Sequence, residues 1–155
     1  MLANDNGARI AMIETGGWDT HAAQRGRLGA QLTGLDRMIE ALQTGLGPLW
    51  GKTIVLVATE FGREVAVNGT LGTDHGTGGA AFVLGGAVKG GRVIADWPGL
   101  KPAQLYEDRD LAPTTDLLAI LKGVLRDHLG LSERALSTEI FPDSLAIRPV
   151  DGLLV

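Results

Sequence analysis

The chain has only three histidines, and two of them stand beside aspartate in glycine-rich segments. The first segment is Gly16-Gly17-Trp18-Asp19-Thr20-His21, and the second is Gly72-Thr73-Asp74-His75-Gly76-Thr77-Gly78-Gly79. Between them comes Thr59-Glu60-Phe61-Gly62-Arg63. Imidazole from His21 and His75, with carboxylate from Asp19, Asp74 or Glu60, makes a mixed nitrogen and oxygen donor set that suits Zn, Mn or Fe. Arg63 adds a planar fork that fits an anionic oxygen pair. With no cysteine in the chain, thiolate sites, disulfides and cysteine nucleophiles are excluded.

Each of these residues has a plainer use. Asp19 is a possible helix cap, and Asp74-His75 a possible Asx-turn with a surface histidine. Glu60 and Arg63 could form an exposed ion pair of little energetic weight. His128 falls near a helix end, where a histidine favours the negative terminus. Trp18 and Trp97 read as core or pocket-wall residues. Neither a Gly-x-Ser-x-Gly elbow nor a phosphate-loop signature occurs, and no threonine in these segments has a flanking base in a recognisable arrangement.

The surrounding pattern supplies elements to position the loops. Arg9–Glu14 is an apolar run stopped by Thr15-Gly16-Gly17, and reads as a buried strand. Leu28, Leu32, Leu35, Ile39, Leu42 and Leu46 recur at helical spacing and predict one amphipathic helix over about Gln24–Leu46. Thr53–Ala58 is β-branched and apolar throughout, as a strand covered on both faces would be. Strand, helix, strand predicts two parallel neighbours, with the polar loops at their carboxyl ends where open α/β sheets bind ligands. Ala80–Leu84 and Arg92–Ala95 are further strand candidates, joined by a glycine-flanked bend. A second helix is expected from about Thr115 to Leu129, with Thr114 or Thr115 as cap, Gly130 as stop and its leucines as inner face. A further turn is expected at Ser132–Leu136.

At 155 residues and 45% hydrophobic, the chain reads as a single α/β domain over 1–155 with material for a core. Its net charge of −4 removes the electrostatic footprint of a general nucleic-acid binder. No apolar stretch approaches the roughly 20 residues of a membrane span, and the first residues carry no signal sequence.

The motifs above, with Asn68-Gly69, Gly85–Gly91, Trp97-Pro98-Gly99-Leu100 and Arg109-Asp110-Leu111, follow one another in an order that resembles the C-terminal part of the domain of unknown function 1501 family. These are bacterial proteins related to the alkaline phosphatase and sulfatase superfamily. The resemblance implies a three-layer α/β/α sandwich with a mostly parallel sheet, present here as an incomplete C-terminal portion. It also implies a metal-dependent hydrolase ancestry acting on phosphate or sulfate esters, and twin-arginine export of full-length members. Position by position, Asp19 and His21 resemble the first ligand pair, Glu60 the aspartate of the second, and His75 a later histidine. The chain departs from that pattern in its Asp-x-His spacing and in Phe61, which stands where a ligand histidine would be and cannot ligate.

The expected function is thus the metal-binding portion of a phosphatase- or sulfatase-like hydrolase, itself without the nucleophile, taking a small anionic ester. The alternatives are a non-catalytic binding or structural domain that kept the fold, and a truncated family member without independent activity. A sheet lacking its early strands would expose an edge and call for self-association or for the missing N-terminal portion.

Overall fold

The computed structural model describes residues 7–155. Helix α1 spans Gln24–Leu46, where the leucine spacing places it, and a 3₁₀ segment at Gly47–Lys52 ends it. Pro48 fits the start of that segment because its missing amide has no partner to lose there. Strands β1 (Val55–Val57), β2 (Gly62–Arg63), β3 (His75–Gly76) and β4 (Phe82–Leu84) follow. After a 3₁₀ turn at Pro102–Gln104 comes α2 (Leu117–Leu129). Its cap is Asp116, one residue past the expected threonines, whose carboxylate accepts from the Leu118 amide at 2.8 Å. Gly130 ends it in the left-handed conformation at φ 69°. Ser132 caps the short α3 (Glu133–Ala135), which widens into a π-turn over Leu136–Ile140.

The expected α/β/α sandwich is not what forms. The described residues hold only two two-stranded sheets, both antiparallel: β1 against β4, with Leu56 opposite Val83, and β2 against β3, with Arg63 opposite His75. Arg9–Glu14 joins no ladder, and Ile10, Met12 and Ile13 are exposed. Without that strand there is no strand–helix–strand crossover, and β1 pairs with a later strand running the opposite way. Arg92–Ala95 also stays outside any ladder, with Val93 and Ile94 exposed, so the expected hairpin is absent. Ladders of three and two residue pairs offer too little apolar face to carry helix layers on both sides.

The core is correspondingly small. Among the described residues the buried hydrophobics are Ala119, Leu136 and Leu153, where α2, the π-turn and the C-terminal segment meet. The most buried positions of α2 are Ala119, Lys122 and Gly123 rather than its leucines. Lys122 is fully buried, and its ammonium donates to Ser137 Oγ at 3.0 Å and to the carbonyls of Ser144 and Ile147. The tail is packed: the Val150 amide donates to Ala119 O at 2.9 Å, and Leu154 bridges Val88. Helix α1 has no buried residue, and among the elements its substantial packing is on the 3₁₀ segment that follows it. The chain exposes 10649 Å², against roughly 7500 Å² for a compact monomer of this mass. No helix of the described residues is long and apolar enough to cross a membrane.

Candidate metal centre

The loops that carry the two histidines are tied together by backbone bonds rather than by a sheet. The segment ending at Ala23 enters α1 through a left-handed residue, with no side chain capping the helix. Its first amides are satisfied from the other loop, Ala23 N donating to Thr70 O and Gln24 N to Leu71 O, each at 2.9 Å. Two glycines permit this proximity. A Cβ on Gly72 would overlap the His21 backbone carbonyl, and one on Gly76 would overlap the backbone of Arg63 across the β2–β3 pair. The chain therefore brings His21 and His75 side by side, ring centroids 4.9 Å apart.

Asp19 lies between them. Its Oδ1 is 2.9 Å from His21 Nε2 and 2.8 Å from His75 Nε2. One ligand atom from each of Asp19, His21 and His75 falls within 4.8 Å of the others, a group that could hold a metal ion. All three side chains are about half exposed, so one side of the group faces solvent.

Asp74 stands behind His21. Its Oδ1 lies 2.7 Å from His21 Nδ1, and an ionised carboxylate can only accept, so the Nδ1–H donates and Nε2 is turned toward Asp19. With the ring neutral, Nε2 and the Asp19 oxygen are two lone-pair donors facing one gap, which a proton or a metal cation can fill. The donor set therefore fits a divalent transition metal: two imidazoles, one carboxylate and an outer carboxylate fixing a tautomer. Phe61, which cannot ligate, stacks on His75 at 4.2 Å with its plane tilted 16°. It forms a wall that limits the ring's rotation.

The electrostatics favour ionised carboxylates. The hydrogen bond from His75 holds the Asp19 carboxyl below its ordinary value, helped by the charges of both histidines and by Arg63, against partial desolvation. The bond from His21, then that from Asn68, does the same for Asp74. Nearby, burial pushes the Asp110 carboxyl up, but bonds from Arg109 and Thr77 outweigh it and leave it low.

The remaining expected residues lie differently. Arg63 faces the loops: Nη1 donates to Thr73 O and Nη2 to Trp18 O, both at 2.7 Å, and Nη2 reaches Asp19 Oδ1 at 3.2 Å. Glu60 is exposed and outside the group; it lines, with Phe61, Phe82, Val93, Ile94 and Trp97, a neighbouring open groove of about 830 Å³. Asp19 caps no helix, and Glu64, not Glu60, approaches an arginine, at 3.4 Å from Arg109. No serine or threonine hydroxyl among the described residues donates to the side chains of Asp19, His21 or His75.

Two polar residues were not singled out from the sequence as part of the site. Gln24 Oε1 accepts from Thr20 Oγ1 at 3.1 Å and from Thr73 Oγ1 at 2.8 Å, joining the two loops through α1. Asn68 Nδ2 donates to His21 O at 3.0 Å and to Asp74 Oδ1 at 3.1 Å. The Asn-Gly dipeptide at 68–69 marks a turn, but nothing in it announces this long-range contact.

Compared with known proteins, residues 1–140 match the family model described as "Protein of unknown function (DUF1501)". No curated protein and no solved structure matches the chain.

Proposed function

The chain belongs to the DUF1501 family, whose description assigns no activity, and from the loop cluster we propose that it binds one divalent transition-metal ion, Zn, Mn or Fe, through Asp19, His21 and His75. We further propose that this is the metal-binding portion of a hydrolase-like domain acting on phosphate or sulfate esters. The observation that carries the metal reading is the convergence of Asp19 Oδ1, His21 Nε2 and His75 Nε2 within 4.8 Å, with Asp74 behind His21. The ester class rests on the ordered motifs alone, by analogy with the alkaline phosphatase and sulfatase superfamily.

A divalent ion held there supplies Lewis acidity toward an ester oxygen. The chain's own residues do the rest. Asp74 fixes the His21 tautomer, Phe61 limits His75, and Arg63 pins Asp19 and both loop backbones. The three contacts of Arg63 use three of its five N–H donors, so an anion contact would fall to Nε–H or the second Nη1–H. Among the described residues no serine or threonine hydroxyl donates to the three ligand side chains, so the cluster itself offers no protein nucleophile.

Elemental mass spectrometry of chelator-treated, reloaded protein tests the metal reading. One transition-metal ion per chain, lost on His75→Ala, is the expected result; no retained metal under any loading condition overturns it. A second reading, a non-catalytic domain, is favoured by one observation. Asp19 Oδ1 already faces His21, His75 and Arg63, so the cluster can serve as a polar clamp between loops. In that case the Asp19→Asn variant would lose stability, with no metal effect in either protein.

A further inference from the structure

We propose that Asn68 is a positioning residue for this centre, holding His21 at both ends through a single amide group. The proposal rests on the metal reading above. One Nδ2 hydrogen goes to the backbone oxygen of His21 at 3.0 Å, and the other to Asp74 Oδ1 at 3.1 Å, the same oxygen that receives His21 Nδ1–H. The amide therefore fixes where the His21 backbone sits and where the carboxylate behind its ring points. With Asp74 Oδ1 held between two donors, the ring has one favoured tautomer, and its Nε2 is left directed at Asp19.

The other end of Asn68 is itself immobilised. Its Oδ1 accepts from the amides of Thr70 and Gly72, each at 3.0 Å. The single proton of the Thr70 hydroxyl goes to its nearer acceptor, His21 O at 2.6 Å. The loop thus orients the amide, the amide orients Asp74, and Asp74 orients the ring. Nothing in this chain of contacts touches the three ligand atoms, which is why Asn68 is placed as a positioning residue.

The two ends of the side chain can be separated experimentally. Asn68→Asp keeps an oxygen for Thr70 and Gly72, so the loop retains its acceptor, but it removes the donors to Asp74 and His21. Zinc affinity, measured by competition with a chromophoric chelator, should fall by about 10–100-fold in Asn68→Asp and in Asp74→Asn, the loss usual for an outer-shell partner. Circular dichroism should show unchanged helix. Zinc binding by Asn68→Asp equal to that of the parent protein would overturn the proposal. Asn68→Ser repeats the test if the aspartate variant does not fold. If the parent protein binds no zinc, nitrogen NMR of the His21 ring at alkaline pH still decides. A pure Nδ1–H tautomer in the parent that becomes mixed in Asn68→Asp supports positioning; the same tautomer in both refutes it.

Discussion

Asp74 meets the His21 ring from behind, Oδ1 to Nδ1 at 2.7 Å, while Asp19 meets the other nitrogen of the same ring at 2.9 Å. One imidazole is thus held between two carboxylates drawn from opposite ends of the loop system. A proton or a metal ion can fill the gap between His21 Nε2 and Asp19 Oδ1, and the two differ in what substitution does. If it is a metal ion, Asp19→Asn or His75→Ala should lower zinc affinity by at least about 100-fold, since an outer-shell partner alone is worth roughly 10–100-fold. Isothermal titration of zinc into each variant measures this.

Acid should dismantle the same cluster. Asp19 and Asp74 have folded-state values below the ordinary 3.8, so their stabilisation is fully present above that value. It is lost as pH falls through the lower folded values. The parent protein should therefore lose stability below about pH 4, and the double variant Asp19→Asn/Asp74→Asn should show a flatter decline there. Urea midpoints followed across that range would decide it; parallel curves would count against the cluster's being formed.

Phe61 offers a test of the wall. Replacing it by leucine keeps an apolar neighbour for His75 but removes a stack worth about 0.5–1.5 kcal/mol beyond area. A lower thermal midpoint and a several-fold loss of zinc affinity are expected. Unchanged affinity would mean that the ring is positioned by Asp19 alone.

Substitutions at glycine should divide by location. In α1, Gly29 and Gly34 face open space, so alanine at each should stabilise by up to about 1 kcal/mol. At Gly72 and Gly76 a Cβ meets the backbone of His21 and Arg63. Alanine there should cost about 1–3 kcal/mol and disturb metal binding as well. Chemical denaturation of the four single variants checks the contrast.

Lys122 should matter more than any leucine of α2. Lys122→Met keeps the stem but takes the ammonium from Ser137 Oγ and from the carbonyls of Ser144 and Ile147, of which Ser144 O keeps the Ile147 amide at 3.0 Å. A loss of about 2–4 kcal/mol is expected, read from urea unfolding, with zinc binding unaffected at temperatures where the variant is folded.

The helices were legible because their signals are local. Leucine spacing marks α1, and Gly130 and Ser132 mark the end of α2 and the start of α3. The sheet was not, because apolar runs such as Arg9–Glu14 and Arg92–Ala95 state a preference for strand without naming a partner, and neither finds one. The inner face of α2 departs from its leucine stripe for a similar reason: such a stripe predicts burial only if something large covers it, and here the tail crosses at Ala119 and Gly123, with Lys122 reaching beneath it. At the site, residue types indicated His21, His75 and their aspartates. They did not divide Asp19 from Asp74, one facing both rings and the other behind one of them. That division, and the direction taken by Arg63 and Asn68, depends on contacts across the loops, for which sequence spacing holds no signal.

The first turn of α1 has no side-chain cap and borrows the carbonyls of Thr70 and Leu71 instead. The helix start and the histidine loop must therefore open together, as one cooperative unit. Amide hydrogen exchange at Ala23 and Gln24 becomes a gauge of loop closure that needs no probe inside the cluster. Any ligand that tightens the loop should slow exchange of those two protons, at the head of a 23-residue helix.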